Sequence, residues 1–182
     1  MASNIKKYIL TAVTLGLIAA SGALLIAGTN MITRGTIAKN EENKINNGIL
    51  NLYKDYPNPY VSNDTDLTIE NYQYVNHIYY INNNNGSSSY EPIGYAFRTS
   101  GSNMYGKISL IVGFNYAKTF IGISIITNEQ TYASTLVENY IDPLNSNDRS
   151  LEDVSCGATY GAKLVRDMVN EASEAIKKVE II

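Results

Sequence analysis

Residues 93–127 read IGYAFRTSGSNMYGKISLIVGFNYAKTFIGISIIT and contain three β-prone runs in close succession. The runs are rich in β-branched and aromatic residues, and they cover Ile93–Arg98, Lys107–Phe114 and Thr119–Thr127. The connector Asn115–Lys118 is short enough for a hairpin between the last two runs. This part of the sequence therefore predicts neighbouring antiparallel strands.

The sequence upstream predicts further strands and a preceding helix. Leu67–Ile81 carries tyrosines and β-branched residues in partial alternation, which indicates one or two strands. Asn82–Ser89 (NNNNGSSS) is rich in turn formers and is expected to form a polar tip. Asn40–Lys54 is expected to be helical, and the prolines of Tyr56–Pro59 are expected to end that helix.

The C-terminal segment has the periodicity of an amphipathic helix. Apolar residues recur at steps of four and three, while charged residues stand mostly between them. The apolar positions are Ala158, Ala162, Val165, Val169, Ala172, Ile176 and Val179. Together with the strands, this helix predicts an α+β fold, a mostly antiparallel sheet packed by helices.

The N-terminus predicts one transmembrane helix. No charged side chain occurs from Tyr8 to Thr33, and about 20 apolar residues suffice to cross the hydrocarbon core. The alternative is a cleaved signal peptide, whose apolar region is typically about 7–15 residues long. Cleavage is conceivable near Ala19-Ala20-Ser21, but the apolar run continues to Ala27, which favours a retained anchor.

Lysines and arginines flank both ends of this segment, so the positive-inside rule does not decide its orientation. The predicted organisation is a membrane anchor over residues 1–33, a helical linker over 34–60 and one domain over 61–182.

Composition excludes several classes of function. The 182 residues have a formal net charge of −3, which argues against a nucleic-acid-binding surface. A single cysteine, Cys156, excludes an internal disulfide framework and a zinc site built from thiolates. The lone His77 has no evident carboxylate partners for a metal, and no nucleophile–base pair predicts a catalytic residue.

The start of the C-terminal helix has the features of a phosphate site. It reads DVSCGATYGA over Asp153–Ala162, with Ser155 or Cys156 expected at the capping position. Gly157 lets the backbone approach another molecule closely, and free first-turn amides with the helix dipole favour a phosphate. The Thr159 hydroxyl could carry that phosphate or only satisfy a backbone amide.

This segment resembles the flavinylation motif of the FMN-binding domain family, Asp-x-x-(Ser/Thr)-Gly-Ala-Thr. Asp153, Gly157, Ala158 and Thr159 match the motif. The family includes membrane-anchored subunits of the Rnf complex and of the sodium-pumping NADH:quinone oxidoreductase. Residues 94–127 are similar to its Gly-Tyr-x-Phe strand, glycine turn and paired strands, and residues 128–134 stand at its Glu-Thr-Pro-Gly loop.

The resemblance implies that FMN is joined by a phosphoester to Thr159 by a separate flavin transferase. Gly157 and Ala158 would leave space for the phosphate, and Asp153 would belong to the sequence that the transferase recognises. Lys163 would screen charge one helical turn along. Further residues implied at the flavin are Ser155, Cys156 (where the family has Ser or Thr), Tyr105, Gly106, Gln130 and Thr131.

The function implied by the resemblance is electron transfer by covalent FMN in a single-pass membrane protein. The FMN domain would lie outside the cytoplasm, and its partners would be other subunits of an Rnf-like or Nqr-like ion-translocating complex. Such a chain would be an electron-carrying subunit rather than a complete enzyme. Two alternatives remain: a free-standing flavoprotein that serves an extracellular reductase, and a structural or adaptor subunit without flavin.

Overall fold

The computed structural model describes residues 2–65, 72–84 and 90–179, which fall into two compact units, Met1–Asn43 and Lys44–Ile182. Helix α1 (Ala2–Leu52) forms the first unit and continues into the second. It ends before the prolines of Tyr56–Pro59, as predicted.

Helix α1 is the one helix within the described residues that is long and apolar enough to cross a membrane. Its large side chains between residues 9 and 26 are exposed, as expected for a surface that faces lipid. Its length and position suit either a single membrane span or a signal sequence. The helix is continuous through residue 33, and the division of the chain at residues 33 and 60 stays a prediction.

The second unit contains an antiparallel five-stranded sheet in the order β1-β2-β3-β4-β5. This sheet confirms the predicted fold class. Its strands are β1 (Pro59–Thr65), β2 (Val75–Asn84), β3 (Tyr90–Asn103), β4 (Gly106–Asn115) and β5 (Phe120–Asn128).

The three β-prone runs correspond to β3, β4 and β5, and the predicted hairpin joins β4 to β5. Its connector is closed by the Asn115 amide, which donates to the Thr119 carbonyl at 2.9 Å. Strands β3 and β4 pair without a register shift from Gly94↔Asn115 to Asn103↔Gly106. Because the pairing is regular up to Asn103 and Gly106, the β3–β4 turn lies at the end of the sheet where the candidate site is found.

The polar tip begins later than predicted. Asn82–Asn84 belong to β2, where Asn82 and Asn83 pair with both β1 and β3 and Asn84 pairs with β3, so the prediction that the tip starts at Asn82 is wrong. Asn83 is buried, and its side-chain oxygen accepts a hydrogen bond from the Asn58 amide at 3.1 Å. Pairing with two neighbours outweighs the low strand propensity of asparagine here. Residues 85–89, and residues 67–71 of the predicted upstream strand, lie outside the described residues.

Helices cover one face of the sheet. After β5 come α2 (Ala133–Leu136), a π-helical turn (Val137–Ile141), α3 (Asp142–Asn145) and α4 (Thr159–Lys178). Helix α4 confirms the predicted C-terminal helix, and its apolar stripe packs against β2, β3 and β4. Buried aliphatic side chains of this kind each stabilise the fold by roughly 1.5–3 kcal/mol.

The opposite face of the sheet is covered by the end of α1. Ile45 and Ile49 are buried there, followed by Tyr53 just beyond the helix. The Tyr53 hydroxyl lies between two backbone carbonyls, 2.6 Å from that of Tyr95 and 2.8 Å from that of Phe114. The last turns of α1 are therefore part of the core of the sheet unit.

Candidate functional site

The first turn of α4 has no side-chain cap. The capping position is Ala158, and the first backbone bond of the turn runs from the Ala162 amide to the Ala158 carbonyl at 3.0 Å. The prediction of a Ser155 or Cys156 cap is wrong, because the helix begins at Thr159 and both residues precede the capping position, separated from it by Gly157 with its φ of 82°. The amides of residues 159–161 therefore lack an intrahelical acceptor.

A cavity of about 280 Å³ opens at this helix start. Its walls come from the first turn of α4, the β3–β4 turn and the segment that follows β5. None of its lining residues is acidic, so the amide donors face no competing carboxylate. The lining residues are Tyr105, Gln130, Tyr132, Leu136, Gly157, Ala158, Thr159, Tyr160 and Gly161.

Hydrogen bonds tie the β3–β4 turn to helix α4. The Asn103 side-chain amide donates to the Tyr160 carbonyl at 3.1 Å, and its oxygen accepts from the Tyr105 amide at 2.8 Å. One asparagine therefore fixes both the turn and its distance from the helix. Tyr105 is held at the cavity wall by these contacts.

The segment after β5 is tied to the same turn. The Gln130 side chain donates to the Gly106 carbonyl, and the Thr131 amide donates to the Tyr105 carbonyl at 2.9 Å. Gly106 has a φ of 134°, and a Cβ there would lie 2.1 Å from the Glu129 carbonyl oxygen. Only glycine fits where the two backbones approach so closely.

Three tyrosines surround the cavity, and only Tyr105 among them was predicted from the sequence. Its ring centroid lies 5.4 Å from that of Tyr160 and 6.2 Å from that of Tyr132. Tyr132 and Tyr160 are 55% and 59% exposed, so the rim is both aromatic and open to solvent. Leu136 and Gly161 also line the cavity without having been predicted. One of these residues could have been inferred from the sequence, since Tyr160 directly follows Thr159.

The other residues of the predicted site lie around the cavity rather than in its wall. Asp153 and Ser155 are exposed in the loop before α4. Cys156 is buried, and its carbonyl accepts from the Asn139 side chain at 3.2 Å. Lys163 is exposed, with its ammonium nitrogen 5.9 Å from the centroid of the Tyr160 ring.

The cavity fits a phosphate ester that carries an aromatic group. Uncapped amides at the start of a long helix stabilise phosphate oxygens, and the absent Cβ of Gly157 leaves the backbone accessible. Tyrosine rings provide surfaces for a flat aromatic ligand. Ligand pockets typically measure about 300–1,000 Å³, and this cavity, at about 280 Å³, lies just below that range. Within the described residues, no group of three or more His, Cys, Asp or Glu side chains could hold a metal ion.

A family model described as the RnfG N-terminal region matches residues 1–49 of the chain. The N-terminal region is RnfG-like. The match covers most of α1 and ends before β1, so the sheet and the cavity lie outside it. No curated protein matches the chain.

Proposed function

We propose that the protein is a membrane-anchored electron-transfer flavoprotein that carries FMN covalently on Thr159, as a subunit of an Rnf-like or Nqr-like ion-translocating complex. The observation that carries this proposal is the position of Thr159, the first residue of α4, in an aromatic cavity beside uncapped helix amides. The RnfG-like N-terminal region supports the assignment to such a complex.

The attachment is a phosphoryl transfer to Thr159. Its Oγ1 displaces a nucleoside monophosphate from the flavin-side phosphorus of a flavin dinucleotide, and a separate transferase catalyses the step. The Oγ1–phosphorus bond forms, one phosphorus–oxygen bond of the pyrophosphate breaks, and the hydroxyl proton passes to the transferase. No electrons are exchanged, so attachment needs no oxidant or reductant.

The residues of the cavity would then hold the cofactor in place. Backbone amides at the start of α4 would donate to phosphate oxygens, and the helix dipole would stabilise their charge. Tyr105, Tyr132 and Tyr160 line the cavity and would pack against the aromatic ring. Bound FMN supplies the one-electron and two-electron chemistry, while the protein supplies position and electrostatics.

The anchor and the covalent bond would serve the same task. Helix α1 would keep the domain at the membrane, on the extracytoplasmic side, where it would meet the other subunits of the complex. A covalent bond would prevent loss of the cofactor from a cavity whose rim is open to solvent. The exposed tyrosines of that rim would leave the site within reach of redox partners.

Flavin fluorescence in a denaturing gel tests the attachment. The full chain is produced with a flavin transferase, alongside Thr159→Val and the matched control Thr119→Val in the β4–β5 connector. We expect a fluorescent band for the unaltered chain and for Thr119→Val, and a dark band for Thr159→Val.

A dark band for the unaltered, folded chain would exclude the electron-carrier function and favour an adaptor subunit. Fluorescence that survives in Thr159→Val would exclude this attachment residue. A fluorescent chain that purifies from native membranes without other subunits would favour a free-standing flavoprotein.

A further inference from the structure

We propose that Arg149 is the positioning residue that fixes the segment Asp153–Thr159 in the conformation which a flavin transferase modifies. This inference rests on the proposed function. Arg149 lies in the loop between α3 and α4 and was not among the predicted site residues.

Arg149 contacts the segment at three points. Its Nη1 atom donates to the Asp153 carbonyl at 2.9 Å and to the Ser155 carbonyl at 3.2 Å. The same atom lies 3.5 Å from the Asp153 carboxylate. Hydrogen bonds from a charged donor are about twice as strong as neutral ones. One guanidinium therefore fixes two alternate carbonyls and one side chain.

The carboxylate of Asp153 completes this arrangement. Its other oxygen accepts from the Ser155 amide at 3.3 Å, so the loop closes on itself between these two residues. The Arg149 side chain is only 21% exposed, whereas that of Asp153 is 57% exposed. Asp153 thus remains accessible to a partner while Arg149 holds its orientation.

The fixed carbonyls determine how the chain enters α4. Ser155 lies two residues before Gly157, whose φ of 82° turns the backbone towards Thr159. Between Ser155 and the helix, the Asn139 side chain holds the Cys156 carbonyl. Without Arg149, the Tyr140 hydroxyl would still donate to the Leu151 carbonyl and the Ser155 amide to the Asp153 carboxylate, but the carbonyls of Asp153 and Ser155 would lose the guanidinium that links them. The path from Asp153 to Thr159 would then sample several conformations.

The loss of Arg149 would loosen this loop without unfolding the domain. Asp153 and Ser155 are exposed, so water can replace the guanidinium at their carbonyls. A transferase that accepts only one loop conformation would then act more slowly, in proportion to the fraction of chains in that conformation. Arg149 would therefore act on modification through the geometry of the loop.

Cys156 provides a direct measure of that geometry. It is the single cysteine of the chain, is 7% exposed, and directly follows Ser155. Its rate of labelling by a water-soluble maleimide, in the folded chain without flavin, reports how often the loop opens. This measurement does not depend on flavin chemistry.

The experiment compares Arg149→Gln with the matched control Arg166→Gln. Arg166 also pairs with carboxylates, that of Asp167 at 2.8 Å and that of Glu152 at 3.8 Å. Unlike Arg149, it does not donate to the carbonyls of Asp153 and Ser155. For Arg149→Gln we expect labelling about tenfold faster and flavinylation by purified transferase and flavin–adenine dinucleotide about tenfold slower. For Arg166→Gln both rates should stay within about twofold of the unaltered chain.

Unchanged labelling or unchanged flavinylation in folded Arg149→Gln would overturn the proposal. If that variant does not fold, Arg149→Met replaces it, since methionine keeps the apolar stem of the side chain but donates no hydrogen bond. Rates equal to those of the unaltered chain in folded Arg149→Met would then overturn it. An unaltered chain that acquires no flavin would refute the proposed function, whereas the labelling rates would still decide whether Arg149 fixes the loop.

Discussion

Gly161 lines the cavity, and Gly106 lies in the β3–β4 turn that forms part of its wall. A side chain would disturb the surrounding structure more at one of these positions than at the other. A Cβ at Gly106 would lie 2.1 Å from a backbone oxygen, and its φ of 134° is unfavourable for any other residue. A Cβ at Gly161 would lie 2.9 Å from a methyl group of Leu136, which can move. The two glycines therefore make a matched pair for mutagenesis.

For Gly106→Ala we expect the free energy of unfolding to fall by about 1–3 kcal/mol, because the turn must move away from Glu129. Gly161→Ala should change it by less, since alanine is the better helix former and only a flexible side chain must adjust. Urea denaturation of the two variants measures the difference. Equal stability of the two variants would contradict this account of the β3–β4 turn.

At the scale of elements, a carboxylate joins α4 to the start of β2. Glu171 Oε1 accepts from the amides of Tyr74 at 2.7 Å and Val75 at 2.9 Å. One amide belongs to the residue just before β2 and the other to its first residue, and both would otherwise lack a partner at a partly buried position. These hydrogen bonds connect residues nearly a hundred positions apart in the chain, so no local sequence pattern predicts them.

Glu171→Ala should lower the free energy of unfolding by about 1–3 kcal/mol, since two donors lose a charged acceptor. The matched control is Glu174→Ala, one turn along the same helix and exposed. That change should stay within about 0.5 kcal/mol of the unaltered chain. Thermal or urea denaturation measures both, and an equally large loss in Glu174→Ala would argue against a specific role of Glu171.

The pKa of Tyr53 determines part of the pH dependence of stability. Burial of its hydroxyl raises the pKa of Tyr53 above the usual tyrosine value, and the Phe114 carbonyl bond only partly opposes this shift. Above about pH 10 the unfolded chain loses this proton while the folded chain keeps it. Its contribution to stability is therefore complete below about pH 10 and is lost as the pH rises further.

We expect the free energy of unfolding to fall above about pH 10, with Tyr53 contributing up to about 1.4 kcal/mol per pH unit. Tyr53→Phe should reduce that slope. A slope should remain, because burial also raises the pKa of Tyr140. Urea denaturation at several alkaline pH values measures the slopes, and identical slopes with and without Tyr53 would contradict the assignment.

At the scale of the whole molecule, the end of α1 belongs to the sheet unit. That unit begins at Lys44, and Ile45, Ile49 and Tyr53 cover one face of its sheet. Each buried isoleucine contributes roughly 1.5–3 kcal/mol, against a typical total stability of about 5–15 kcal/mol. The last helical turns are therefore needed by the domain whether or not the rest of α1 crosses a membrane.

A chain that begins at Lys44 should unfold cooperatively, whereas one that begins at Lys54 should lose the fold, because it exposes one face of the sheet. Circular dichroism during thermal denaturation distinguishes the two. Cooperative unfolding of the shorter chain with unchanged stability would show that these turns are dispensable.

The sequence by itself determined the long elements that carry a clear local pattern, whereas β1 and the short helices between β5 and α4 were not predicted. The three β-prone runs became β3, β4 and β5, the apolar stripe became the buried face of α4, and the charge-free segment became the apolar part of α1. Alternation and periodicity record which side of an element faces the core. The assignment of FMN to Thr159 came from a motif, and it stays a proposal.

Only the tertiary structure decided how the cavity is assembled. It brought Tyr105, Tyr132 and Tyr160 to one rim, left the first turn of α4 uncapped, and placed Arg149 against the loop before it. It also extended β2 through Asn82–Asn84, because pairing with β3, and with β1 at Asn82 and Asn83, outweighs local propensity. These features depend on contacts between distant parts of the chain, and residue spacing within one segment does not specify such contacts.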